Sequence, residues 1–240
     1  MQTKNRIKLF DTIRGFALIS MILYHFTYDA VAIFGQDWTW FSSTWATVWQ
    51  TSIFATFILI SGAVSSLSEK GLKRGLIVLG GGFVITAVTL IFMPGQKILF
   101  GVLSFLGCAM IIKYFLNPIL DKIHPIIGML LSAVFFILTY NLPKDKFFIW
   151  SLPEFLTSMK FLFPIGITYH GFSSADYFPI FPWIFLFFFG MFLCKITINK
   201  LPAALKCFEI KPISFIGRHT LEIYMVHQPI LYALCYLIFN

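Results

Sequence analysis

Four ionisable side chains of the first apolar stretch fall on one helical face: Asp11, Arg14, His25 and Asp29. At about 100° per residue they sit near 0°, −60°, −40° and 0°, a wedge of roughly 60°. Leu18 and Ile22 fill the same face between them. Ionisable groups at membrane depth are costly, so such a face belongs in a bundle interior or a water-filled cavity. His25 and Asp29 stand four residues apart, where side chains on a helix meet. A carboxylate that holds one imidazole nitrogen fixes the tautomer and leaves the other nitrogen as a general base. The plainer reading is a buried pair that ties helices together. At the other end, Asp11 and Arg14 are three apart. There a first-turn carboxylate suits the helix dipole and aims a guanidinium fork at a phosphate. The plainer reading is a local ion pair with charge anchoring. Arg14 and His25 lie roughly 16 Å apart along the axis at 1.5 Å per residue. That is the layout of a site that binds something at one membrane face and does chemistry towards the other.

Three further segments carry polar groups of interest. Phe172-Ser173-Ser174-Ala175-Asp176-Tyr177-Phe178-Pro179-Ile180-Phe181-Pro182-Trp183 holds Asp176 between a Ser/Asp turn and two prolines. It reads either as an acceptor contact or as a helix cap with interfacial aromatics. The stretch Ile216-Gly217-Arg218-His219-Thr220-Leu221-Glu222 continues into His227-Gln228-Pro229. Arg218 and Glu222 are spaced as an i, i+4 pair, and Pro229 removes the backbone bond to Met225. A His-Gln-Pro inside an apolar span either caps a kink or touches a ligand. Trp38, Trp40, Trp45 and Trp49 follow the first helix. They read as an interface belt, with a stacking platform for a sugar ring as the alternative.

The elements that position these groups are membrane spans. Apolar residues make up 58% of the chain and charged residues 12%, far from a soluble composition. Seven stretches are long enough to cross a bilayer as helices, near 12–34, 45–67, 75–93, 98–116, 123–142, 179–198 and 213–239. The expected fold is therefore an all-α polytopic bundle of about seven transmembrane helices, one domain over 1–240. With the N-terminus in the cytoplasm, fourteen basic residues fall inside: Lys4, Arg6, Lys8, Arg14, Lys70, Lys73, Arg74, Lys113, Lys122, Lys195, Lys200, Lys206, Lys211 and Arg218. Only four, Lys97, Lys144, Lys146 and Lys160, fall outside. Basic residues favour the cytoplasmic side, so the C-terminus is expected outside. An eighth span within 147–168 would reverse that bias, and Pro153, Glu154, Lys160 and Pro164 interrupt it. The first run is long and lacks a small-residue cleavage site, which predicts a signal anchor rather than a cleaved leader. The net charge of +8 lies mostly on inner loops and calls for no nucleic acid. Cys108, Cys194, Cys207 and Cys235 read as free thiols, with no zinc or iron–sulfur spacing. No internal repeat is visible, so an inverted-repeat transporter is not supported.

Several of these motifs resemble a known family. Arg6-Ile-Lys-Leu-Phe-Asp11-Thr-Ile-Arg14-Gly15, with His25 eleven residues after Arg14, is similar to helix 1 of integral-membrane acyltransferases. Ser174–Trp183 and Gly217–Pro229 resemble the later motifs of the bacterial relatives of the heparan-α-glucosaminide N-acetyltransferase catalytic domain. The resemblance runs from the first helix to the last. It implies an enzyme that takes acetyl from cytoplasmic acetyl-CoA and delivers it to an acceptor, typically an amino sugar, at the far side. It puts His25 in the position of the superfamily's catalytic histidine and makes Asp11 and Arg14 its inner signature. The chain departs from the lysosomal enzyme in having no histidine in residues 30–44, so that role does not carry over. The expectation is then an acetyl-CoA-dependent N-acetyltransferase of the cell membrane, in a bacterial inner membrane. His25 serves as general base or acetyl carrier with Asp29 beside it. Arg14, Arg74 and Arg218, with Asp11, hold the donor's phosphates, and Asp176, His227 and Gln228 contact the acceptor. No metal is expected. The expected partners are acetyl-CoA, a small or lipid-linked sugar and membrane lipid, with a homodimer left open. The rivals are an O-acetyltransferase of a cell-envelope glycan, a small-solute or proton-coupled transporter that uses the same polar stripe, and a structural subunit.

Overall fold

The computed structural model describes residues 7–68 and 70–239; Lys4 and Arg6 of the basic amino-terminal end lie outside them. The helices in chain order are α1 Lys8–Tyr28, α2 Thr44–Ser65, α3 Gly71–Phe92, α4 Val102–Leu120, α5 Pro125–Thr139, α6 Glu154–Thr157, α7 Ile180–Thr197, α8 Ala203–Lys206, α9 Lys211–Arg218 and α10 Thr220–Phe239. Among the described residues seven helical segments are long and apolar enough to cross a membrane: Lys8–Ile33, Thr44–Ser65, Gly71–Phe92, Val102–Leu120, Pro125–Lys144, Ile180–Thr197 and Thr220–Phe239. Residues 147–168 supply none of them. They fold as part of a two-stranded hairpin, Lys146–Phe147 (β1) against Trp150–Ser151 (β2), then α6 and a 3₁₀ turn over Lys160–Ile165.

Two places depart from a plain reading of the apolar runs. The first helix does not stay α-helical to its end. From Asp29 to Ile33 it widens into a π turn, in which the Phe34 amide donates to the Asp29 carbonyl at 3.0 Å. Such single π turns recur at functional positions in helices. The second concerns the expected span 213–239, which is two helices. Pro212, in the first turn, opens α9, and α9 closes at His219, whose backbone (φ −102°, ψ 30°) leaves the helix. The His219 amide bonds back to Phe215 and Ile216. The membrane-crossing part is then α10 alone, which runs unbroken past Pro229.

The chain forms two compact units, residues 1–57 with 200–240, and residues 58–199. In the first unit α1 packs along α9 and α10. Two glycines allow the first of these contacts. A methyl group on Gly15 would strike the Ile213 carbonyl, and one on Gly217 would strike the Asp11 carbonyl. Small residues that let helix backbones touch are the usual device where lipid gives no hydrophobic drive. Leu18, Ala17, Met21, Ile53 and Phe57 form the buried core of this unit, with Tyr24, Trp49, Ile216 and Tyr224 against it. The Trp49 indole donates to Ser20 Oγ at 2.7 Å.

In the second unit α3 packs on α4 and α5 on α7. Glycines again sit at the crossings: Gly107 against the Leu79 backbone, Gly62 against the Phe187 carbonyl, and Gly128 on the Phe192 ring. Lys113 is buried in α4, and its ammonium donates to the carbonyl of Ser65 at 2.8 Å, at the C-terminal end of α2. A cation there meets the negative end of a helix dipole.

Candidate active site

The polar groups of the first unit gather at two places, near the two ends of α1. The first lies around the π turn. His25 is in the last turn of α1, and Asp29 opens the π turn four residues on. From α10 come Tyr224, His227 and Gln228, on consecutive turns of that helix. The rings of His25 and His227 lie 5.0 Å apart, centre to centre, tilted by 57°. The Gln228 amide nitrogen donates to Asp29 Oδ1 at 2.7 Å. His227 Nδ1 is 2.6 Å from the Tyr224 carbonyl. A carbonyl only accepts, so the hydrogen bond assigns the proton to Nδ1 and leaves Nε2 as a lone pair.

Burial here is deep. Asp29 is 0% exposed and His227 8%. Yet three buried polar atoms in this small group have no partner: Asp29 Oδ2, His227 Nε2 and Gln228 Oε1. A buried polar atom without a partner costs about 1–3 kcal/mol, and native interiors hold few of them. All three are acceptors. A ligand that completes these three acceptors must bring N–H or O–H bonds.

The spacing in the sequence pairs Asp29 with His25. In the structure that carboxylate bonds to Gln228 instead, and among the described residues it makes no hydrogen bond to His25. The reason is that α10 presents a free amide donor to the same face and His227 to the neighbouring imidazole. No spacing rule within α1 reveals which helix lies opposite, so the union of His25 with His227, and of Asp29 with Gln228, was not visible from either segment alone. The polar His-Gln in an apolar span was the available signal. Aromatic rings border the site. Tyr24 makes an edge contact with His25, at 6.1 Å, and with Trp49, at 5.3 Å, and Trp40 stacks on Trp49.

The second gathering is at the start of α1. Lys8 Nζ lies 2.7 Å from Glu209 Oε2, and Arg218 donates from Nη1 to Glu209 Oε1 at 3.1 Å. The bond from Lys8, with Arg218 adding to it, holds the Glu209 carboxyl below its ordinary range. The expected i, i+4 pair of Arg218 with Glu222 does not form, because the chain breaks at His219 and puts the two on different helices. Asp11 is buried and Arg14 half-buried on the same helix, and the Asp11 carbonyl lies against Gly217.

Arg74 and Asp176 belong to the second unit. Arg74 is exposed in the first turn of α3. Asp176 Oδ2 accepts the Val102 amide at 3.1 Å, at the N-terminus of α4. Ser174 accepts from the Leu99 amide at 2.8 Å and donates to the Asp176 carbonyl at 2.7 Å. Further backbone bonds join Ala175 to Lys97 and Phe178 to Phe100. The Ser/Asp turn thus caps a helix remote in sequence. Burial raises the Asp176 carboxyl to about 6 despite the Val102 amide. Among the described residues no group of three or more His, Cys, Asp or Glu is placed to hold a metal ion.

One protein-family model matches the chain, over residues 6–229; its description is "Heparan-alpha-glucosaminide N-acetyltransferase, catalytic". No curated protein and no solved structure matches.

Proposed function

The chain belongs to the heparan-α-glucosaminide N-acetyltransferase catalytic-domain family, and from that premise we propose that this membrane acetyltransferase moves acetyl from acetyl-CoA to an amine of a small or lipid-linked sugar. The observation that carries the acceptor's chemistry is the trio of unmet acceptors, Asp29 Oδ2, His227 Nε2 and Gln228 Oε1. A primary ammonium offers three N–H donors and the charge that a buried carboxylate lacks. A hydroxyl offers one donor and no charge. This favours N-acetylation over the ester-forming alternative, and a buried cluster of unmet acceptors favours a bound reactant over a structural polar stripe.

His25 is the residue assigned to catalysis. On entry the ammonium gives one proton to the Nε2 lone pair of His227, and the nitrogen lone pair thus exposed attacks the thioester carbonyl. His25 takes the second N–H proton as the C–N bond forms. The C–S bond breaks, and the departing thiolate collects that proton to leave as CoA. A two-step route, in which His25 carries the acetyl group before the amine attacks it, uses the same atoms. Asp29 supports the imidazolium as a buried negative charge, held by Gln228. His227, locked with its proton on Nδ1, accepts from the acceptor, and Gln228 orients it. Asp176 is engaged by the α4 amide, so acceptor contacts are assigned to His227 and Gln228. Arg14, positioned by Asp11, and Arg218, both of the first unit, are assigned to the donor's phosphates. The excess of basic residues on one set of loops supports a cytoplasmic donor side.

The test is turnover of acetyl-CoA with glucosamine by purified protein, followed as free thiol, with the product challenged by mild alkali. The wild type is expected to make an alkali-stable amide, and His25→Ala to make none while keeping its melting temperature. Turnover retained in that variant removes His25 from the mechanism.

A further inference from the structure

We propose that Lys8 and Arg218 form an anion clamp whose present occupant is the carboxylate of Glu209, and that this carboxylate gives way to a phosphate of the incoming donor. The identity of the ligand as a nucleotide donor rests on the reading above. The clamp itself rests on three observations. First, two cations from separate elements, the first residue of α1 and the last of α9, meet on the two oxygens of one carboxylate, at 2.7 and 3.1 Å. Second, Glu209 is the single acidic residue between Asp176 and Glu222, a stretch that holds Lys195, Lys200, Lys206, Lys211 and Arg218. Third, it lies in the irregular segment 207–210 between α8 and α9, where no helix fixes its backbone.

Lys8 and Arg218 keep side-chain exposures of 50% and 35%, against 14% for Glu209. Each cation spends one N–H on Glu209 in these bonds, while an ammonium has three and a guanidinium five. A phosphate group has three oxygens and more charge than a carboxylate, and Arg recognises it in the same bidentate manner. Phosphate and carboxylate do not share the clamp, because two anions a few ångströms apart repel. Binding is therefore an exchange: Glu209 leaves as the phosphate enters, and returns as CoA departs. The carboxylate keeps the cations arranged, and it also lowers affinity by competing for them.

The experiment is CoA binding by thermal stabilisation and by titration, in detergent, for the wild type, Glu209→Gln and Glu209→Asp. Exposed ion pairs are weak, so relief from competition is expected to tighten CoA binding by a modest factor, roughly three- to tenfold, in Glu209→Gln. Glu209→Asp retains the competing charge and is expected to bind as the wild type does. Adding Arg218→Ala to Glu209→Gln is expected to abolish the gain. Where the wild type binds CoA, weaker or unchanged CoA binding by folded Glu209→Gln overturns the exchange. A second arm uses nanodiscs of zwitterionic lipid with and without phosphatidylglycerol. If the wild type does not bind CoA but Glu209→Gln gains stabilisation from phosphatidylglycerol, the clamp stands with a lipid headgroup as its anion and the donor reading fails. If neither probe responds to the substitution, the clamp is refuted.

Discussion

Asp29 has a single hydrogen-bond donor among the described side chains, the Gln228 amide. Gln228→Ala leaves a buried carboxylate with no such donor, and the expected loss of stability is about 1–3 kcal/mol. Asp29→Asn is expected to cost less on its own, and the double variant less than the sum, because the two groups share one interaction. Denaturation of the four proteins in detergent measures the coupling; additive losses refute it. Asp176 makes a different forecast. Its folded-state carboxyl titrates at about 6, against an ordinary 3.8. The folded chain therefore holds a proton that the unfolded chain has already released between those values, and stability falls as pH rises through that window. Above it both states are ionised and the dependence flattens. Asp176→Asn still accepts the Val102 amide and has no charge to bury. Its melting temperature is expected to be flat across the window where the wild type declines. A wild-type curve that rises with pH there removes the assignment.

At the scale of elements, the apolar spans were readable because each is a long run with charged or proline-bearing ends. Pro125, for instance, opens α5, and Lys70 precedes α3. The break between α9 and α10 was not. Residues 213–239 run on with only Gly217 as a weak helix former near the joint, too little to mark His219 as the place where the helix ends. The π turn was hidden for the same reason: residues 29–33, Asp-Ala-Val-Ala-Ile, continue an ordinary helical pattern. The positions of His25 and Asp29 on one face could be derived from periodicity. Their partners on α10 could not, because periodicity orders residues within a helix and says nothing of which helices adjoin.

For the whole molecule, the fourteen-to-four division of basic residues predicts that the segment between α7 and α10 lies on the cytoplasmic side. Cys207, in the described structure, is the exposed cysteine of the four. A membrane-impermeant maleimide is expected to label it in inside-out vesicles and not in intact cells. Cys207→Ser should then remove the signal. Labelling of intact cells at Cys207 reverses the orientation and with it the donor side.

The contacts of Gly15 with Ile213 and of Gly217 with Asp11 have a further consequence. At these points main chain meets main chain, with only the Ile213 Cγ2 methyl beside Gly15, so the separation of α1 and α9 has almost no mutable spacer. Selection has little to tune there by exchanging one side chain for another of different size. A saturation scan is expected to read near-zero tolerance at both glycines, alanine included, while Phe16, beside Gly15 and 51% exposed, accepts any apolar residue. The spacing between these helices is in that sense frozen in the main chain, and under the acceptor assignment proposed for His227 and Gln228, adaptation to a different acceptor proceeds through α10.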